Sequence, residues 1–121
     1  SFDEECLREV QQAVREYAAH GNVILFGRGA HAILGRGSGV LRVFITAPRE
    51  WRIRHVMEAG AVDEKTAAEE VDRVDRARRE YLRAYYDLEW NDPQNYDLML
   101  DVSTFGVDRA AEIIAGAAGS R

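Results

Sequence analysis

The sequence predicts an α/β domain: a parallel sheet of about three strands flanked by helices. Three observations point there. Short apolar, β-prone runs at 23–26, 40–46 and 96–102 alternate with stretches whose apolar residues recur at helical spacing. The first run has no polar alternation, the mark of a strand covered on both faces. The 121 residues, 46% hydrophobic and 31% charged, suit one soluble domain with a single core. Three strands are few for a parallel sheet. Either further strands come from outside these residues, or two copies complete the sheet together.

The elements follow in order. Residues 3–19 place Leu7, Val10, Val14 and Tyr17 at helical spacing, and Gly21 suits the carboxyl cap. Residues 23–26 form the first strand. The segment 27–39 holds five glycines and reads as a loop with one helical turn at 30–34. A second strand covers 40–46. Pro48 opens the next helix, which runs to Glu58 and is stopped by Ala59-Gly60. Asp63 is the N-cap of a long helix over 63–86, with Glu64 in its first turn. Asn91-Asp92-Pro93 is a turn, 96–102 the third strand, and 107–117 an amphipathic last helix with Val107, Ala110, Ile114 and Ala117 on one side. Residues 1–121 read as a single domain without repeats or linkers.

Charge narrows the function. The net charge is −5, but residues 28–83 hold 12 basic and 9 acidic side chains, a net of +3. The flanks are acidic, with a net of −8. An acidic molecule with a basic middle argues against binding a nucleic-acid polymer and suits a small anionic ligand. No apolar run approaches the roughly 20 residues a membrane span needs. A lone cysteine, Cys6, excludes an internal disulfide and fits a reducing cytoplasm. The acidic, helical N-terminus does not read as a signal peptide. His20 and His55 lack metal-ligand spacing, and no metal site is expected in these residues.

Gly27-Arg28-Gly29 stands where the first strand ends, the usual place for a ligand in such a sheet. Its glycines allow close approach, and the Arg28 guanidinium suits phosphate or carboxylate. The spacing Gly27-x-Gly29-x-x-Ala32 matches a dinucleotide fingerprint formally, but the acidic residue expected about 20 positions on is missing. A phosphate loop of the G-x-x-x-x-G-K-[ST] type is absent, since the one lysine, Lys65, follows no glycine loop.

The long helix carries a second feature. At about 100° per residue, Val71, Val74, Tyr81, Leu82 and Tyr85 share one face. Arg73, Arg76, Arg79 and Arg83 form a stripe opposite, readable as a solvated face with local acidic pairs. Arg78 falls among the apolar residues, where a guanidinium needs a ligand or a buried partner such as Asp75 or Asp101. Asp101 itself reads equally as a helix cap. His31 could touch a phosphate but more simply packs, and Trp51, Trp90, Tyr81, Tyr85 and Tyr86 read as packing residues.

Together, Gly27-Arg28-Gly29, Ala47-Pro48-Arg49-Glu50-Trp51-Arg52-Ile53, Asp75-Arg76-Ala77-Arg78-Arg79-Glu80-Tyr81 and Tyr96-Asp97-Leu98 resemble the cytidylate-kinase-like branch of the P-loop nucleoside monophosphate kinases. The resemblance runs from about Arg15 to Ala117. It implies a helix-flanked parallel sheet with a mobile helical lid at 63–86, here an incomplete three-layer sandwich: the carboxyl-terminal two-thirds of the fold. It implies transfer of the ATP γ-phosphoryl, with magnesium, to a nucleotide such as CMP. By resemblance, Arg76 and Arg78 are the catalytic cations, and Gly27, Arg28, Gly29, Arg73 and Asp75 are the substrate-binding residues. ATP and magnesium are expected only where a phosphate-loop segment is also present, so the chain alone is expected to be inactive. Cytidylate kinases proper carry Gly-Arg-Asp at the position of Gly27-Arg28-Gly29, so an acidic contact to the acceptor is missing. The alternative is a non-catalytic module that keeps the fold and uses its sheet edge to form a homodimer or to dock on an adjacent domain.

Overall fold

A computed structural model describes residues 4–27, 29–37 and 39–119. Helix α1 (Glu4–His20) starts with Glu4 and Glu5, whose charges suit a helix N-terminus. It ends at Gly21, whose φ of +73° places it in the left-handed region and whose N–H donates to Ala18 O at 3.2 Å. A short helix α2 (Ala30–Leu34) follows, as the sequence predicts.

Strand β1 (Val43–Thr46) pairs in parallel with β2 (Leu98–Asp101). The register runs from Val43 opposite Leu98 to Thr46 opposite Asp101. These two strands are the whole sheet among the described residues. The expected strand at 23–26 does not form. Its residues make no backbone-to-backbone hydrogen bond among the described residues, and Ile24 and Phe26 are 79% and 85% exposed. The apolar run is β-prone as read, but a strand needs a neighbour, and none of the described residues supplies one.

Helices α3 (Arg49–Gly60) and α4 (Glu64–Tyr86) form an antiparallel-type hairpin around Ala61, which takes the left-handed conformation. Ile53, Ala67 and Val71 form its core, with Val56, Met57, Val62 and Ala68 against them. Asp63 caps α4 as expected, accepting from the Thr66 N–H at 2.8 Å. At the other end, the Asp87 N–H donates to Arg83 O and the Leu88 N–H to Leu82 O, both at 3.2 Å, closing the helix at Tyr86.

A second, aromatic cluster ties β1 to the loops. Phe44 meets Trp90 edge-on at 5.5 Å and Tyr96 at 5.0 Å, and His31 of α2 stacks on Tyr96 at 4.7 Å. The Tyr96 hydroxyl donates to Trp90 O at 2.5 Å. After β2, the short α5 (Val102–Phe105) was not anticipated. Asp101 caps it, accepting from the Ser103 N–H at 2.9 Å and hydroxyl at 2.6 Å, and no arginine among the described residues pairs with it. Helix α6 (Val107–Gly119) buries Ala110 and ends the described chain.

Candidate functional site

The carboxyl ends of β1 and β2 lead to Ala47 and Asp101, and the α3–α4 hairpin rises from the first of them. One guanidinium anchors that hairpin. Arg52 donates Nε–H to Ala47 O at 3.1 Å and NH1 to both Asp75 carboxylate oxygens at 2.8 Å. It therefore ties the strand end, α3 and α4 together. Beside it, Arg49 makes a two-point bond to Asp72 at 3.0 and 2.9 Å, which holds the Asp72 carboxyl below its ordinary value.

This arrangement sorts the residues singled out on the long helix. Asp75 is engaged by Arg52, and Arg73 by Glu70 of its own helix at 2.6 and 3.1 Å. Arg83 pairs with Glu89 at 2.7 Å. Arg76, Arg78 and Arg79 are exposed and have no carboxylate partner within ion-pair distance among the described residues. Arg78 differs from the helical-wheel expectation. It is neither buried nor paired to Asp75 or Asp101. Instead its guanidinium lies 5.9 Å from the Trp90 ring centroid, with that of Arg79 at 6.0 Å. The reason is that α3 covers α4 around Ala67 and Val71, but at the level of Arg78 the facing group is an indole, which leaves a cation open to solvent.

The glycine corner approaches from the other side. Gly27 and Gly29 both take left-handed φ, +66° and +70°. At Gly29 the requirement is strict, because a Cβ there would lie 2.7 Å from Tyr86 Cε2 near the end of α4. Gln11 Nε2 meets the Tyr86 hydroxyl at 3.4 Å, so α1, the glycine corner and α4 converge on one tyrosine. Arg28 lies outside the described residues. His31 packs on Tyr96, its Nε2 buried without a hydrogen-bond partner among the described residues. Burial first, and Arg42 second, hold its pKa below the ordinary value, so the ring is a neutral packing group.

Sequence reasoning missed one strong pair. Arg42, only 6% exposed, donates Nε–H and NH2 to the two carboxylate oxygens of Asp97 at 3.1 and 3.0 Å, and its backbone N–H donates to the same group at 2.8 Å. These bonds pull Asp97 down to about 2. The signal was the register, since 42 and 97 immediately precede the paired Val43 and Leu98. Among the described residues no cluster of three or more His, Cys, Asp or Glu side chains could hold a metal, and no helix is long and apolar enough to cross a membrane.

Comparison with known proteins points mainly to one group, although a uronate isomerase of Corynebacterium glutamicum is also 28% identical over 109 residues, covering 88% of this chain and 20% of that protein. A model of the cytidylate kinase-like family matches residues 1–104. A cytidylate kinase of Methanoculleus marisnigri is 30% identical over 96 residues, covering 79% of this chain and 52% of that protein. One of Methanopyrus kandleri is 26% identical over 117 residues, covering 90% of this chain and 61% of that protein. The crystal structure of an uncharacterized protein from Eubacterium ventriosum superposes with a TM-score of 0.89 at 27% identity, covering 98% of this chain and 67% of that one. The chain thus spans between half and two-thirds of the length of these kinases.

Proposed function

The chain belongs to the cytidylate kinase-like family, and from that premise we propose that it is the acceptor-and-lid part of a nucleotide phosphotransferase. Its ligand is a nucleoside monophosphate such as CMP, held by its phosphate. The observation that carries the reading is the uneven pairing of arginines on α4. Arg73 and Arg83 have carboxylate partners, while Arg76 and Arg78 have none among the described residues. Each is an exposed cation, Arg78 resting on Trp90, that can donate to a phosphate without first having to leave a salt bridge.

Phosphoryl transfer asks a protein mainly for positioning and for cations near the developing charge. Arg76 and Arg78 take the second role. Arg52 and Asp75 take the first, by fixing the pitch of α4 against the end of β1. Gly27 and Gly29 face the acceptor from the glycine corner, with Gly29 held against Tyr86, and the role of Arg28 as an acceptor contact rests on the family resemblance. Arg73 joins on the outer face once a ligand competes with Glu70 for it. The phosphate donor ATP and magnesium belong with a phosphate-loop segment that these residues do not contain. Asp72, Asp75 and Asp97 are each held by an arginine and are not free to take magnesium. In this reading the 121 residues alone bind without turnover, in a cytoplasmic setting that suits a single cysteine, Cys6.

The test is a CMP titration followed by amide NMR. Resonances of residues 27–29 and 76–79 are expected to move together, and Arg78→Ala to weaken the response about tenfold. Shifts confined to other surfaces, or identical titrations for wild type and Arg78→Ala, would refute the assignment.

A further inference from the structure

Two arginines of α4 share one ring. Arg78 and Arg79 are neighbours in sequence, so the helix turns their side chains about 100° apart. Yet their guanidinium carbons lie 5.9 and 6.0 Å from the same Trp90 ring centroid. Both are exposed, and neither has a carboxylate within ion-pair distance among the described residues. Arg76 is exposed as well, but no ring lies under it among the described residues. The indole itself is anchored away from α4. Phe44 of β1, 8% exposed, meets it edge-on at 5.5 Å. The backbone beside it is pinned: the Tyr96 hydroxyl donates to Trp90 O at 2.5 Å, and Asn95 Nδ2 donates to Glu89 O at 2.8 Å. The Glu89 carboxylate, the anion next to the indole, is engaged by Arg83 at 2.7 Å and leaves Arg78 and Arg79 unclaimed.

We propose that Trp90 is a positioning residue for Arg78 and Arg79: it orders both guanidiniums before any ligand arrives, at a place set by β1. A free arginine side chain is rich in rotamers and loses that freedom when it binds. A ring under the guanidinium removes part of the freedom in advance. It does so without neutralising the charge, which a carboxylate partner would do. Glu70 and Glu89 show the contrast, since the arginines they hold are ordered but occupied. The consequence for binding rests on the reading of α4 as the phosphate-facing helix. On that reading Arg79 joins Arg76 and Arg78 as a third cation, and the indole lowers the ordering cost of binding. The ordering of the two side chains by Trp90 holds independently of that reading.

The experiment measures nitrogen relaxation of the arginine Nε–H groups in the ligand-free 121-residue chain, then titrates CMP, for wild type, Trp90→Phe and Trp90→Leu. In wild type, Arg78 and Arg79 should be more ordered than Arg76, with their Cδ protons shifted upfield by the indole. Trp90→Phe keeps a ring and should preserve this difference. Trp90→Leu keeps an apolar side chain only and should abolish it. CMP affinity should fall about fivefold in Trp90→Leu and less than about twofold in Trp90→Phe. The salt dependence of binding should stay the same, because no charge is removed. Equal order at Arg76, Arg78 and Arg79 in wild type would overturn the proposal, and that comparison needs no variant to fold. Unchanged order or unchanged CMP affinity in a folded Trp90→Leu would overturn it too. Order at Arg78 and Arg79 that Trp90→Leu abolishes, in a chain that takes no CMP, would support the positioning role and refute the nucleotide reading alone.

Discussion

Replacing Asp97 by alanine removes both acceptors of the one buried guanidinium in the described core. Arg42 is 6% exposed and its Nε and NH2 reach the two Asp97 oxygens at 3.1 and 3.0 Å. Breaking a fully buried pair from one side costs about 3–5 kcal/mol, because the remaining charge is stranded. The Asp97 side chain is 27% exposed, so water reaches part of the freed guanidinium and the cost falls to about 2–3 kcal/mol. For a chain of this size that is a drop in Tm of about 10 °C. Urea unfolding of wild type, Asp97→Ala and the double variant Asp97→Ala/Arg42→Met measures it. Methionine fills much of the arginine's volume and needs no partner, so the double variant should be more stable than Asp97→Ala alone. The pH dependence gives a second reading. Asp97 titrates at about 2 in the folded chain against an ordinary value of 3.8. A lowered folded value means the pair stabilises fully above about pH 4 and loses that stabilisation as pH falls from about 4 to about 2. Asp97→Ala should lack this part of the acid transition. A loss below about 0.5 kcal/mol, or an unchanged acid limb, would refute the reasoning.

Three further outcomes are expected. Gly29→Ala meets both a left-handed φ and Tyr86 at 2.7 Å, so it should lose about 2–4 kcal/mol in urea unfolding, whereas Gly21→Ala, with the same sign of φ and open space, should lose about 1 kcal/mol; equal losses would show that Tyr86 simply moves aside. Leu82→Ala, at a 3% exposed position on α4, should cost about 2–4 kcal/mol by the same assay, and a cost near zero would mean that this end of the helix is not packed as described. Arg52→Met removes the link from Ala47 O to Asp75, and hydrogen exchange in the first half of α4 should rise without loss of the helix by circular dichroism; unchanged exchange would remove Arg52 from its positioning role.

Much of the fold was legible because local chemistry set it. Asp63 and Tyr86 bound the long helix as read, since an N-cap aspartate and a run of helix formers act within a turn or two of chain. Gly21 ended α1 for a similarly local reason. What sequence alone could not show were the long-range pairings. Arg42 meets Asp97 and Arg52 meets Asp75 across 55 and 23 residues, and only the β1–β2 register and the hairpin bring them together. Arg78 shows the same limit. Periodicity puts it on the apolar side of the wheel, but the structure leaves it exposed beside Trp90, because the depth of cover there depends on what α3 and Trp90 reach. The strand expected at 23–26 failed for the complementary reason. Its composition is that of a strand, and pairing requires a second chain segment that the described residues do not provide.

The most direct measurement for the central proposal is calorimetry of the 121-residue chain with CMP and with cytidine, at low and at moderate salt. The account predicts weak CMP binding that salt reduces, little or no heat with cytidine, and loss of the CMP signal in Arg76→Ala/Arg78→Ala with unfolding midpoints unchanged. Equal binding of cytidine and CMP, or full CMP binding by the double variant, would contradict it.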